Sequence, residues 1–211
     1  MTAQAAIATI PRPMAPRQKR AVVAKTRPVK TLPEYLEVSE VAALISCCPK
    51  DDPRHSLLIL VQWRAGLRRA EACALAREDL FIEGETPTLK VRQGKGKKAR
   101  VVPVHVELRD ALAAYVWGRG KTSGKTLLGV SGSQAWRWVI AARDEAMKRG
   151  LIPAGRRIAT HTLRHSAARH WLASGVPINV VSRWLGHSTL ATTLIYLQIL
   201  PDPTGYMERV P

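Results

Sequence analysis

The stretch Leu80-Phe-Ile-Glu-Gly-Glu-Thr-Pro-Thr-Leu-Lys-Val-Arg-Gln-Gly-Lys-Gly-Lys-Lys-Ala-Arg-Val-Val-Pro-Val104 decides the fold. Its apolar and β-branched residues fall in three short runs, Leu80–Ile82, Thr88–Arg92 and Arg100–Val104. The turn-forming segments EGETP and QGKGKK separate them,. The reading is two or three antiparallel strands. On both sides of this stretch the period is helical.

Upstream, Ser39 is placed to cap a helix whose Val41, Leu44, Ile45 and Cys48 share one face,. Ser56–Trp63 is apolar all round and reads as a buried helix,. Gly66 interrupts it, and a second short helix runs through Leu75. Downstream, helices are expected at 105–117, at 133–148 after Ser131 or Ser133, and at 161–174, 178–185 and 188–199,. Gly175-Val-Pro177 and Gly186 are the breaks between the last three. No internal repeat is present,. The expected class is α+β, mainly α-helical, with one small antiparallel β-sheet.

The chain has 211 residues, with 33 Lys and Arg against 16 Asp and Glu, a formal charge of +17. That length is enough to bury a core. No stretch approaches the ~20 apolar residues of a membrane span. Three cysteines, Cys47, Cys48 and Cys73, do not make a disulfide framework, which fits a reduced, cytoplasmic protein,. So large a positive excess points to a polyanion, most often nucleic acid.

Much of the charge is segregated. Residues 1–33 hold seven basic side chains, five prolines and no acid, and read as a flexible basic arm,. The first ten residues lack the positive segment of a secretory signal,. Residues 34–200 form the expected globular domain, and 201–211 a short tail with Pro201, Pro203 and Gly205.

Four segments carry residues suited to chemistry. In Ala65-Gly-Leu-Arg-Arg-Ala-Glu71, Arg68 starts a helix and Glu71 lies on the same face,. Taken alone, this pair also fits a surface ion pair. The basic turn between the second and third strands sets Lys95 between Gly94 and Gly96, with Arg92, Lys97, Lys98 and Arg100 around it. A lysine there can deliver a proton, or the whole turn can simply touch phosphates. In Thr160-His-Thr-Leu-Arg-His-Ser166, His161 and Arg164 share a helical face and suit an anionic oxygen,. His165 and His170 read as packing or backbone-contact residues. His161 and His165 lack an acid or Cys at metal spacing, so no zinc site is expected. In Trp184-Leu-Gly-His-Ser-Thr-Leu-Ala-Thr-Thr-Leu-Ile-Tyr196, His187 sits in a turn, Ser188 is placed to cap the next helix, and Tyr196 follows on it. A tyrosine in such a helix also fits the core with its hydroxyl at the edge.

Together GLRRAE, QGKGKKARVVPV, HTLRHSAARHWLASG and WLGHSTLATTLIY resemble the tyrosine recombinase (phage integrase) family over roughly residues 34–200, in the family's order and at its intervals. The resemblance implies a site-specific recombinase that cuts and rejoins DNA through a 3′-phosphotyrosyl bond, giving integration, excision, inversion or resolution. Tyr196 matches the nucleophile. Arg68 and Arg164 match the two arginines on the scissile phosphate, and His161 and His187 the two imidazole positions around it. Lys95 matches the lysine that protonates the leaving 5′ oxygen, and Glu71 a supporting acid. His161 is the expected base for the tyrosine hydroxyl, and Arg92, Lys97, Lys98 and Arg100 are expected DNA contacts.

The resemblance further implies double-stranded DNA as partner, a homo-oligomer (a tetramer on paired sites) with an accessory protein, no cofactor, no metal and no membrane, and a bacterial cytoplasmic, nucleoid-associated location. The short stretch before residue 34 resembles short members that lack the N-terminal core-binding domain. Arg69 stands where the family more often has an aliphatic residue. The competing readings are an inactive DNA-binding protein of the same fold and a type IB topoisomerase that relaxes DNA.

Overall fold

The computed structural model describes residues 33–92, 99–118, 125–159 and 161–200. The expected arm, the tail and the turn bearing Lys95, Lys97 and Lys98 lie outside the described residues. Strands β1 (Leu80–Phe81), β2 (Thr88–Val91) and β3 (Arg100–Pro103) form one antiparallel sheet in the order β1-β2-β3. Leu80 pairs with Leu89, and Leu89 with Val102. The period-two alternation turns Leu89, Val91 and Val102 inward and leaves Phe81 and Val101 exposed,.

Eight α-helices are described: α1 (Val38–Ser46), α2 (Arg54–Arg64), α3 (Arg69–Ala74), α4 (Val106–Gly118), α5 (Gly132–Lys148), α6 (Thr162–Ala173), α7 (Ile178–Leu185) and α8 (Ala191–Leu194). Every residue of α2 from Leu57 to Trp63 is buried, the polar Gln62 among them,. Ser131 caps α5, its Oγ accepting from the Gln134 N–H at 3.1 Å,.

Two helix starts differ from expectation. α1 begins one residue before Ser39, because Glu40 reaches back to the Glu37 N–H at 2.8 Å and secures it,. The run expected as a helix from 188 to 199 is a four-residue α8 that tightens into a 3-10 turn at Ile195–Ile199, and Ser188 does not cap it. Its threonines use their hydroxyls locally, Thr189 with Thr192 at 3.2 Å and Thr193 with His187 at 2.8 Å. Such side-chain bonds compete with a regular helix.

The core has two parts. The larger gathers α1 to α5, the sheet and the first half of α6, with α2 at its centre. The smaller consists of Ala168, Leu172, Val181, Leu185 and Tyr196, between α6, α7 and the last turn. Residues before α1 strap onto α6. The Leu36 N–H donates to Ser166 Oγ at 2.7 Å, and the Arg169 guanidinium lies 4.2 Å over the Tyr35 ring. Among the described residues no helix is long and apolar enough to cross a membrane.

Candidate active site

The site begins at a chain break. Gly66 takes φ +61, which ends α2 and lets the chain re-enter a helix at Arg69,. A Cβ on Gly66 would lie 2.7 Å from the Trp171 ring. Arg68 therefore stands at the N-cap of α3, and Glu71 occupies the third helical position. The Glu71 carboxylate accepts from the Arg68 N–H at 2.8 Å and from Arg68 Nη1 at 2.9 Å.

Glu71 is also gripped from another element. Arg100 donates Nη1 and Nη2 to its two oxygens at 2.9 and 2.8 Å. Arg164 Nη1 lies 3.8 Å away. Burial alone would raise the carboxyl pKa, but the Arg100 and Arg68 hydrogen bonds and charges outweigh it and hold it near 2,. Arg164 is fixed by two backbone carbonyls, Gly66 O at 2.7 Å and Leu185 O at 2.6 Å. Burial and nearby Arg68 lower its pKa to about 10, which leaves it cationic at neutral pH.

The first turn of α6 supplies the imidazoles. His161 is the N-cap and Arg164 and His165 follow. The His161 and His165 rings stand 6.2 Å apart. His165 Nδ1 lies 2.8 Å from Tyr196 Oη. Tyr196 is 2% exposed, with its ring in the smaller core. The His187 ring is nearly parallel to that of Tyr196 at 6.4 Å, and its Nδ1 lies 2.8 Å from the buried Thr193 hydroxyl. Burial, with Arg164 and Arg68, lowers the His187 pKa to about 4. The same influences lower His161. Burial raises the Tyr196 pKa, while Arg164 and Arg68 pull it back.

The structure thus brings Arg68, Glu71, His161, Arg164, His187 and Tyr196 into one neighbourhood. Lys95, Lys97 and Lys98 fall outside the described residues. Arg92 is half exposed, with its guanidinium paired to Glu78 and Asp79 at 2.6 Å each. Arg100 requires a correction. Expected as a DNA contact on the hairpin, it is 8% exposed and turned inward. Its donors are committed to Glu71 and, through Nε at 2.7 Å, to the Trp184 carbonyl. It is a positioning residue that ties β3 to α3 and to the end of α7.

His165 is the residue that the sequence reading left among the packing histidines. The signal was present, since His165 stands four residues after His161 on the same helix and so shares its face. No hydrogen bond joins His161 to Tyr196 among the described residues. No group of three or more His, Cys, Asp or Glu suited to a metal ion occurs among them either. The arrangement can hold an anionic oxygen between guanidiniums and imidazoles, with a phenolic hydroxyl beside it.

Residues 34–202 match the family model described as the Phage integrase family. Tyrosine recombinase XerA of Thermococcus kodakarensis is 36% identical over 172 residues, covering 81% of this chain and 60% of that protein. A crystal structure of XerA recombinase superposes with a TM-score of 0.71 at 28% identity, covering 86% of this chain and 66% of that one. The catalytic domain of bacteriophage HP1 integrase gives 0.61 at 26% identity, covering 84% of this chain and 94% of that domain. The chain spans about 60% of the length of the curated relatives it matches.

Proposed function

Because the chain belongs to the phage integrase family of tyrosine recombinases, we propose that it cleaves and rejoins double-stranded DNA at specific sites through a phosphotyrosyl intermediate. The observation that carries this reading is the position of Tyr196. Its hydroxyl lies against an imidazole and under the electrostatic influence of Arg164 and Arg68.

A phosphodiester is anionic and repels nucleophiles. Attack needs its charge neutralised as the transition state forms. Arg68 and Arg164 supply two guanidiniums for this, held in place by Glu71 and by the Gly66 and Leu185 carbonyls. Arg68 is 31% exposed and so is open to a ligand. His161 and His187 offer ring N–H groups to the same phosphate. A site imidazole takes the phenolic proton as Tyr196 Oη forms the bond to phosphorus and the bond to the 5′ oxygen breaks, and Lys95 protonates that oxygen. The phosphotyrosyl bond keeps the phosphodiester energy, so a 5′-hydroxyl of the same or another duplex restores DNA without ATP.

Duplex DNA is the substrate, paired sites are held by a tetramer of this chain, an accessory protein assists, and the reaction takes place on the nucleoid in the cytoplasm. Arg92 at the hairpin base and Lys97 and Lys98 at its tip contact phosphates, and the basic arm adds to them. The experiment is covalent capture on a nicked suicide duplex. Wild-type chain forms an SDS-resistant adduct, and Tyr196→Phe forms none. An adduct that survives Tyr196→Phe removes Tyr196 as nucleophile, and absence of an adduct across a randomised pool of duplexes removes the function.

A further inference from the structure

We propose that Arg69 grips a second phosphate of the cleaved strand, the one flanking the scissile phosphate on the His161 side of the site. The inference rests on the strand-cleavage reading above and adds a substrate contact which that reading does not use.

Arg69 is the guanidinium beside the site without a protein partner. Arg68 and Arg100 bind Glu71, and Arg164 binds the Gly66 and Leu185 carbonyls. Arg69, next to Arg68 in the chain, makes no hydrogen bond or ion pair among the described residues. It is half-buried and does not join Glu71. Its Nε lies 3.6 Å from where a Cβ on Gly132 would stand, so the side chain passes the first turn of α5. There it lines a notch with Gln62 of α2, Ala135, Trp136 and Val139 of α5, and Ala159 just before α6.

The reach of its charge places the guanidinium. Arg68 is among the charges that act most strongly on Arg164, His187 and Tyr196, and Arg69 is not. Both act on His161, whose pKa is lowered by burial first and then by Arg164, Arg68 and Arg69. Arg69 therefore sits at the His161 end of the site, beyond the pair assigned to the scissile phosphate. A strand held by Arg68 and Arg164 has a further phosphate on each side of the scissile one. A guanidinium beyond His161 meets that neighbour rather than the scissile group.

The notch is built for an oxyanion. Gln62 is 4% exposed, and its carboxamide has no hydrogen bond among the described residues. Buried polar side chains are ordinarily satisfied, so an unmatched one lining a notch calls for an oxygen from outside. Gly132 and Ser133 open α5, a helix of 17 residues, where the first amides lack intrahelical acceptors and the helix end is positive,. The apolar walls from Ala135, Trp136 and Val139 lower the local dielectric and strengthen a guanidinium–phosphate pair. The notch is too narrow to enclose a small molecule. Its occupant is presented at the mouth, as a phosphate on a docked duplex is.

The test uses the full chain. Wild type captures its own substrate from a pool of nicked duplexes with a randomised centre, and that duplex is remade with the phosphates around the cleavage point replaced one at a time by neutral methylphosphonates. Binding is measured for wild type, Arg69→Leu and Arg69→Lys, with melting temperatures to check the fold. Leucine suits the apolar walls. On the unmodified duplex Arg69→Leu is expected to bind about tenfold more weakly than wild type. Its plot of log affinity against log salt is shallower by about 0.9. Arg69→Lys keeps the wild-type slope. Neutralising one phosphate that flanks the scissile one weakens wild type about tenfold and leaves Arg69→Leu unchanged. Every other position weakens both proteins equally. A purely structural Arg69 lowers affinity without singling out a phosphate, and that pattern overturns the assignment. So does a wild-type salt slope in Arg69→Leu. Inorganic phosphate at matched ionic strength that displaces the duplex from wild type but not from Arg69→Leu assigns the notch to a free anion instead. If wild type captures no duplex at all, the strand-cleavage reading falls, and the flanking phosphate falls with it.

Discussion

Glu71 carries one negative charge and shares it among Arg68, Arg100 and the more distant Arg164. Arg100 is buried, so removing the carboxylate leaves a guanidinium in the interior without its partner. Glu71→Gln is expected to cost about 3–5 kcal/mol of stability, measured by urea unfolding at neutral pH. The pH dependence has a defined sign. The folded carboxyl titrates near 2 against an ordinary value of 4.5, so the stabilisation is fully present above about pH 4.5,. It is lost as pH falls towards 2, and the gap between wild type and Glu71→Gln closes over that interval. The sequence shows the Arg68–Glu71 pair through its helical spacing. It does not show Arg100, which arrives from a strand 29 positions away. A basic residue beside a lysine-rich turn reads as exposed until the third dimension supplies its carboxylate. His165 was legible in principle, four residues from His161, but its neighbour Tyr196 is 31 positions away.

At the scale of elements, the joint between α7 and α8 carries His187 into the site. Gly186 ends α7 with φ +66 and passes beneath Arg100. A Cβ there would lie 2.9 Å from Arg100 Cδ. Gly186→Ala combines a left-handed backbone cost of about 1–2 kcal/mol with displacement of Arg100. The expected outcome is a lower melting temperature, together with slower adduct formation than the stability loss alone explains. A Gly followed by a chemical residue was readable as a helix end. The short α8 was not, because the pattern of Leu190, Leu194 and Leu197 suits a continuous helix, whereas threonine hydroxyls and the inward-facing Tyr196 set the actual path.

At the scale of the molecule, the sheet and seven of the eight helices among the described residues follow periodicity closely, since each of those elements buries one face or is buried all round. Assembly of the site is a different matter. It joins α3, β3, α6, α7 and the last turn, and the bonds that tie these elements together, Arg100 to Glu71, Arg164 to Gly66 and Leu185, and His165 to Tyr196, link residues far apart in sequence. Two of the guanidiniums, Arg100 and Arg164, are nearly inaccessible to solvent, and a third, Arg68, remains open to a ligand.

Three guanidiniums held around a single carboxylate leave an excess of positive charge. Their mutual repulsion opposes the fold, and an oxyanion bound beside them would relieve it. Sulfate should therefore raise the melting temperature more than chloride at matched ionic strength, and Glu71→Gln should enlarge the difference. An equal effect of the two salts in both proteins would show that the repulsion is already dissipated. On this view the choice of buffer salt is a structural variable for this protein.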